Sequence, residues 1–564
     1  MPKSRHFFLA NALAAIGLIF FLIGLSRTAS SILFHVDAIR ISILLMAGSF
    51  LISQNGNFIF HFLKKVASLF AASSAARVGF YIFWSATWGA TAVLKHLAIH
   101  TADFDVGVFG QTLQSLANGN YYQQTVDVPI SYLAVHQNFT LAVFAPLFWL
   151  PYSTELLLFS QAFLLFSPAL LLTQSSWKFL DKTTTNGKIL FLFAYFGSLF
   201  APPILFNTIW EWHETTIVLP ALTIWTIALV QGRLRMFVIA SLVIGLTKEN
   251  LLITLIPGLF CFPLMHRRQR SLFITIAIAL FFVGLFIFER KWLSELNYSV
   301  QRYEWLGDSP GNVIKAILFE PNRWITTLTT RSRLEFIRNL LALGAFGVFW
   351  APFVSFFAWT PILLSHLLSS REAQYLMNYH YVLEVWPIVL VFSLVGWRSI
   401  LNSNNKRGLF LIPIVLFLWI PGPNLFEEWG NLLPDAQINR PMVKQIETEL
   451  KNSFSHCDKA PSGIVGKWMF PQIYEDYNVY PVDKIELLNR KHFFTESILS
   501  RNGGCAFLLG QTTDKEVIEL DLSRFGFSLD EISKYKISDY SIPDGYRLYY
   551  LYKISKMESQ KPSK

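Results

Sequence analysis

Apolar windows close to the roughly 20 residues needed to cross a bilayer recur along the first three quarters of the chain. They lie at 7–25, 41–62, 78–96, 154–174, 187–206, 215–231, 235–247, 249–265, 271–288, 336–352, 354–368, 381–397 and 408–422. The pattern predicts an all-α polytopic membrane protein with about 13 transmembrane helices. The seventh window is short and reads as a half-helix or re-entrant segment. Residues 137–151 are apolar but carry Pro146 and Pro151, which favours an interfacial helix over a crossing. From Asn424 the pattern changes, and charged residues mix with short apolar runs such as Gly463–Gly466, Cys505–Leu509 and Tyr546–Tyr552. The last alternates with period two, as a strand does, so a small α/β domain is expected at 424–564. It follows an N-terminal transmembrane hairpin (1–77) and a transmembrane core (78–423) with large loops at 97–153 and 289–335.

Composition agrees with a membrane reading. Of 564 residues 53% are hydrophobic and only 15% charged, where a soluble chain carries about 25% charged. The net charge of +10 does not point to nucleic acid, because much of the excess lies in short loops that hold cytoplasmic ends in place. Met1–His6 and the following apolar run resemble a signal peptide, but Leu25-Ser26-Arg27 is a poor cleavage site and an uncleaved span is expected. Cys261 lies in an apolar window and reads as core. Cys457 and Cys505 both fall in the tail and can form one bridge if that tail faces an oxidising compartment.

The basic residues set an orientation. Lys64, Lys65 and Arg77, then Lys178, Lys182 and Lys188, then Arg233 and Arg235, then Arg267, Arg268 and Arg270, and finally Arg398, Lys406 and Arg407 all fall on one side if the N-terminus is cytoplasmic. The opposite, external face then receives the loop opening at Asp103, the Glu211–Glu214 turn, the Lys248-Glu249-Asn250 turn, loop 289–335 and Ser369–Tyr381. Ionisable groups at a membrane rim are costly and usually functional. One shared external site explains all of them economically.

Asp103 and Asp105 lead the candidates. In an extended segment residues two apart project to one side, so the pair would converge on one proton, and a carboxylate there suits a general base. The alternative is that Asp105 caps a helix through Phe109, Leu113 and Leu116. In Trp210-Glu211-Trp212-His213-Glu214 an imidazole flanked by carboxylates can relay a proton or orient a sugar hydroxyl, and a Trp can stack on a sugar ring. The competing reading is an aromatic belt above a helix start. A metal needs three or four ligands, and no recognisable spacing supports a divalent metal here. Lys248 is a candidate point charge for a phosphate, against a self-neutralising Lys248–Glu249 pair. Arg302 offers bidentate phosphate contact, while His136 and His380 gain interest mainly from sharing the face of the Asp pair.

The run Phe104-Asp-Val-Gly-Val-Phe-Gly-Gln111, with His136, His213, Lys248-Glu249, Arg302-Tyr303 and His380-Tyr381 in order, resembles the DUF2079 family of bacterial multispanning membrane proteins. The chain departs from that pattern with Gln114 where a Trp is expected and with His-Glu at His213-Glu214 in place of His-Pro. The family is similar to the GT-C glycosyltransferases, which use polyprenyl-phosphate sugars and carry a carboxylate in the first large external loop. The resemblance implies that Asp105 or Asp103 takes that place, as general base and its tuning partner. Gln111, His136, Glu211, His213, Glu214, Lys248, Glu249, Arg302, Tyr303 and His380 would line the substrate site. It implies a lipid-linked sugar donor, an unspecified glycan, lipid or protein acceptor, no certain cofactor, and the external face of a bacterial inner membrane. A transporter or flippase of a lipid or glycolipid is the alternative, with Lys248–Glu249 as its coupling pair; the spans show no obvious inverted repeat.

Overall fold

The computed structural model describes residues 65, 68–99, 103–124, 131–134, 136–174, 185–267, 269–288, 291, 302–402, 424–457, 462–465, 478–481, 505–511, 527–538 and 546–556. The windows at 7–25, 41–62 and 408–422 lie outside the described residues.

Helix α1 (Ser74–Leu97) begins where the Ser73 hydroxyl accepts the Ala76 N–H, and it ends with Lys95 in its last turn, where a cation suits the helix dipole. It packs on α3 (Ser153–Thr173), which packs in turn on α4 (Thr185–Phe200) and α6 (Thr215–Gln231). Between α1 and α3 lies α2 (Asp103–Ala117). Residues 137–151 are not an α-helix: Phe139–Trp149 forms a 3-10 helix around Pro146, with Val143 and Trp149 exposed.

Two of the predicted windows are broken by proline. The 187–206 window becomes α4 and a short α5 (Pro202–Ile209), with Pro202 and Pro203 opening the second helix. The 249–265 window becomes α8 (Glu249–Thr254) and α9 (Ile256–His266), with Pro257 in the first turn of the latter. Proline suits a first turn because no partner is needed for its missing N–H. Between α6 and α8 runs the short α7 (Leu234–Gly245). Its 12 residues rise about 18 Å, too little for a 30 Å hydrocarbon core. Lys248 stands in the break between α7 and α8 with extended backbone.

The remaining helices are α10 (Gln269–Phe288), α11 (Pro310–Phe319), α12 (Pro321–Leu328), α13 (Arg331–Leu343), α14 (Phe356–Leu367), α15 (Trp386–Asn402) and α16 (Asn424–Ser453). Among the described residues four helical stretches are long and apolar enough to cross a membrane: Ser153–Thr173, Leu190–Ile209, Glu249–His266 and Gln269–Phe288. Helix α15 lies against the 3-10 turn Gly347–Trp350. A Cβ on Gly396 would collide with the Gly347 carbonyl, so only glycine permits that approach.

The tail carries a five-stranded sheet in the order β2-β1-β3-β5-β4, from β1 (Ser462–Val465), β2 (Asn478–Pro481), β3 (Ala506–Gly510), β4 (Phe527–Ser538) and β5 (Tyr546–Lys556). Strand β1 runs parallel to β2 and β3, while β5 pairs antiparallel with β3 and β4. The strand expected at 546–552 is present as β5: Tyr549 and Leu551 enter a core with Phe507, Leu509 and Tyr535, under Val443, Ile446, Leu450 and Phe454 of α16. Cys457 at the end of α16 is bonded to Cys505 before β3. That same hydrophobic cluster continues into Val106, Phe109, Leu113, Tyr132 and Trp212. The tail domain and the Asp105 loop therefore stand on one side of the helix bundle.

Candidate functional site

Glu214 opens α6, Lys248 precedes α8, and Glu384 ends the 3-10 turn His380–Glu384 that leads into α15. Lys248 Nζ stands 2.9 Å from Glu214 Oε1 and 2.8 Å from Glu384 Oε1. Three helix starts thus converge on one ammonium. Lys248 does not pair with its neighbour Glu249, as a self-neutralising hairpin tip would require. Glu249 is instead 2.9 Å from His136 Nδ1. Glu384, fully buried, also accepts from Asn250 Nδ2 at 2.8 Å and faces His366 Nε2 at 3.3 Å. Buried charges persist only when paired and hydrogen-bonded, and here each has at least one such partner.

The segment before α3 is tied to this centre at three points. Phe139 N–H donates to Leu246 O at 2.9 Å, Gln137 Nε2 donates to Gly245 O at 2.9 Å, and Thr140 Oγ1 lies 2.9 Å from Thr247 Oγ1. The first two use carbonyls freed where α7 stops, as a helix end requires. They place His136 beside Glu249.

Asp105 lies in the first turn of α2, not at its cap, so the segment is helical and not extended. Residues two apart in a helix diverge by about 200°, and the extended-segment geometry is corrected accordingly. The Asp103 side chain lies outside the described residues. The backbone N–H of Asp105 donates to Glu211 Oε2 at 3.2 Å. A glutamate from another element thereby satisfies an orphan donor at the start of α2, and it fixes Asp105 against the site. Asp105 is half-buried. Burial pushes its carboxyl above the ordinary range; His213 opposes that, Glu214 adds to it, and His136 and Lys248 oppose it. The same interactions join Asp105 electrostatically to the Lys248 centre.

His213 Nδ1 is 2.9 Å from Glu214 Oε2, and its ring stacks on His380 with centroids 3.3 Å apart and planes 19° apart. Burial, then the neighbouring His213 and Lys248, hold His380 well below its ordinary pKa, so its imidazole is neutral. Tyr381 offers its ring to Lys248 at 5.0 Å and to Arg302 at 5.8 Å. Arg302 is buried, and its Nε, like His380 Nε2, has no hydrogen-bond partner among the described residues. The Arg302 carbonyl accepts the Ser370 N–H at 2.8 Å, and Tyr303 Oη donates to Ser365 O at 2.8 Å. Tyr303 is therefore an anchor of this segment. Gln111 is buried on α2, about two turns beyond its start at Asp103.

The two tryptophans of this turn differ in exposure. Trp212 is fully buried against Phe109 and Phe144, so it is core and not a sugar platform. Trp210 is the exposed one, between Lys95 at 5.0 Å and Tyr379 at 6.2 Å. His366 was invisible in the sequence because it stands alone in an apolar helix; its only signal was a titratable residue inside a window otherwise free of them.

Residues 95–424 match the family described as predicted membrane proteins, DUF2079. The chain belongs to that family. This DUF2079 protein is a multi-pass membrane protein, and the matched segment contains every site residue described above. Among solved structures it is similar to ArnT from Cupriavidus metallidurans, described as bound to undecaprenyl phosphate, with 12% identity and a TM-score of 0.47 over 85% of this chain and 98% of that one. No curated protein matches it. Among the described residues the one group of three metal-ligand side chains is His456 with Cys457 and Cys505. Its two sulfurs are bonded to each other, which leaves too few donors for a metal.

Proposed function

We propose that this DUF2079 protein is a glycosyltransferase that moves a sugar from a polyprenyl-phosphate donor to an acceptor hydroxyl at the external face of the bacterial inner membrane. The observation that carries the reading is one electrostatic cluster around Lys248: the half-buried carboxylate Asp105 interacts with His213, Glu214, His136 and Lys248, and the buried cation Arg302, whose Nε has no hydrogen-bond partner among the described residues, interacts with Glu249 and Glu384. Asp105 takes the proton of the attacking hydroxyl as the acceptor oxygen bonds the anomeric carbon. The bond from that carbon to the phosphate oxygen breaks, with inversion, and the polyprenyl phosphate leaves with the electron pair. Arg302 and His380 Nε2 meet its developing charge, which lowers the barrier. Lys248 is held between Glu214 and Glu384, so its role becomes positioning of Glu214 and the histidine stack, and the donor phosphate falls to Arg302. His136 and His213 orient hydroxyls from the acceptor side.

The disulfide supports the external orientation. Disulfides persist in oxidising compartments, and the bonded Cys457 and Cys505 belong to a domain whose core runs into the Asp105 loop. The transport reading loses its coupling pair, since Lys248 and Glu249 bind different partners.

The test uses a strain lacking the chromosomal copy, its envelope glycans profiled by mass spectrometry after complementation. Wild type restores a missing glycosylated species; Asp105→Asn inserts in the membrane to the same level and restores nothing. Full restoration by Asp105→Asn contradicts the proposal.

A further inference from the structure

The segment that begins at Arg302 goes on to a helical hairpin, α11 and α12, whose two faces differ. One face is packed: Val313, Ala316 and Ile317 of α11 and Trp324 and Leu328 of α12 close on Leu306, Trp305 and Leu368. The other is bare and apolar. Phe319 is 75% exposed, Leu318 65% and Ile314 53%, with Ile325 of α12 exposed beside them. Ile314 and Leu318 are four residues apart, as are Lys315 and Phe319, so two neighbouring stripes of α11 carry this surface. The helices have 10 and 8 residues and rise about 15 Å and 12 Å, far short of a crossing.

We infer that this hairpin lies in the membrane interface of the outer leaflet, with Ile314, Leu318, Phe319 and Ile325 among acyl chains and its cations toward anionic headgroups. Residues 310–338 carry Lys315, Arg323, Arg331, Arg333 and Arg338 against Glu320 and Glu335. Arg333 is buried on the carbonyls of Leu367 and Ser369, Arg323 pairs with Glu320, and Arg331 pairs with Glu335. Lys315 and Arg338 remain as exposed positive charge on the outer surface. An apolar edge next to surplus cations is the chemistry of an interfacial helix on an anionic bilayer. The hairpin is also stiffly tied to the site. Arg323 Nη2 donates to the Trp305 carbonyl, and Trp305 Nε1 donates to Leu368 O at 2.9 Å. The bilayer surface thereby fixes the depth at which Arg302 is presented. The inference holds whether or not Arg302 meets a phosphate.

Spin labels at Phe319→Cys and Leu318→Cys test it in the full-length protein reconstituted into vesicles of phosphatidylethanolamine and phosphatidylglycerol, with Asp530→Cys on exposed β4 as the aqueous reference. Cys261 is buried and the other cysteines are bonded, so labelling is selective. Labels at 318 and 319 should collide several-fold more often with oxygen than with a water-soluble nickel chelate, and the label at 530 should show the reverse. Adding Lys315→Glu should shift the 319 label toward water in these vesicles and leave it unmoved in pure phosphatidylcholine. Aqueous accessibility at 318 and 319 equal to that at 530 overturns the inference, as does efficient disulfide formation between two copies at 319, which would make a second chain the covering surface. An equal shift with Lys315→Glu in both vesicle types overturns the headgroup contact.

Discussion

Replacing Lys248 with Met removes the cation on which three helix starts converge. Each Lys248–carboxylate contact, at 2.9 Å and 2.8 Å, corresponds to a gross attraction of about 6 kcal/mol at an effective dielectric of about 20. Desolvation of the three buried ions offsets most of it, so the net value of the intact triad is small. Breaking it is a different matter. Lys248→Met leaves Glu214 and Glu384 buried without their shared partner, and loss of one member of a buried pair costs about 3–5 kcal/mol. Glu384→Gln keeps Lys248 on Glu214 and should cost about 1–3 kcal/mol, the range for one lost buried partner. In the double variant the Glu384 charge is gone before the lysine is removed, so its loss should fall short of the sum by about 1–3 kcal/mol. SDS titration of the purified protein in mixed micelles, read by tryptophan fluorescence, gives the four stabilities of this cycle. Additive losses, or a Lys248→Met variant as stable as wild type, would refute the triad.

Three other outcomes follow. Burial lowers the His136 pKa, but Glu249 at 2.9 Å raises it by more. The pair's contribution is therefore complete below the unfolded value of about 6.5 and is lost as pH rises through the higher folded value. The apparent melting temperature in detergent should fall over that rise in wild type, and His136→Gln should remove this part of the pH dependence. Cutting the Cys457–Cys505 bridge, which closes a separation of 48 residues, should destabilise the tail by about 4 kcal/mol on the chain-entropy account; protease resistance of the tail in Cys457→Ser/Cys505→Ser measures it. Arg302→Gln should slow transfer by about 10²-fold or more with insertion unchanged, and Arg302→Lys should recover only part, because an ammonium lacks the planar fork.

The sequence carried the helices well where hydrophobic runs were unbroken: 215–231 and 271–288 reappear almost unchanged as α6 and α10. Where proline interrupts a run, at Pro202 and Pro257, the windows still mark stretches long and apolar enough to cross, Leu190–Ile209 and Glu249–His266, but each is built from two helices. Those breaks and the stop after α7 turn polar side chains inward, and the site grows from that last one. That Lys248, Glu249, Glu214 and His136 belong together was legible from their shared face. Their pairing was not, because partners separated by up to 136 residues, as Lys248 and Glu384 are, leave no spacing to read. Glu384 emerged as the hub and His366 was missed, since one titratable residue in an apolar stretch looks like an interfacial accident. The geometry of the Asp pair differs for a local reason: two residues apart share a side only in an extended segment, and the helix starts two residues before Asp105.

The central claim is that Asp105 removes a proton as a polyprenyl phosphate departs. The most direct measurement is single-turnover release of free polyprenyl phosphate from a lipid-linked sugar pool, using purified protein in proteoliposomes made with envelope lipid and acceptor extract. Wild type should release polyprenyl phosphate with matching loss of its glycosylated form, and Asp105→Asn should be slower by about 10²-fold or more while showing the same SDS stability. Equal release rates for wild type and Asp105→Asn would contradict the account.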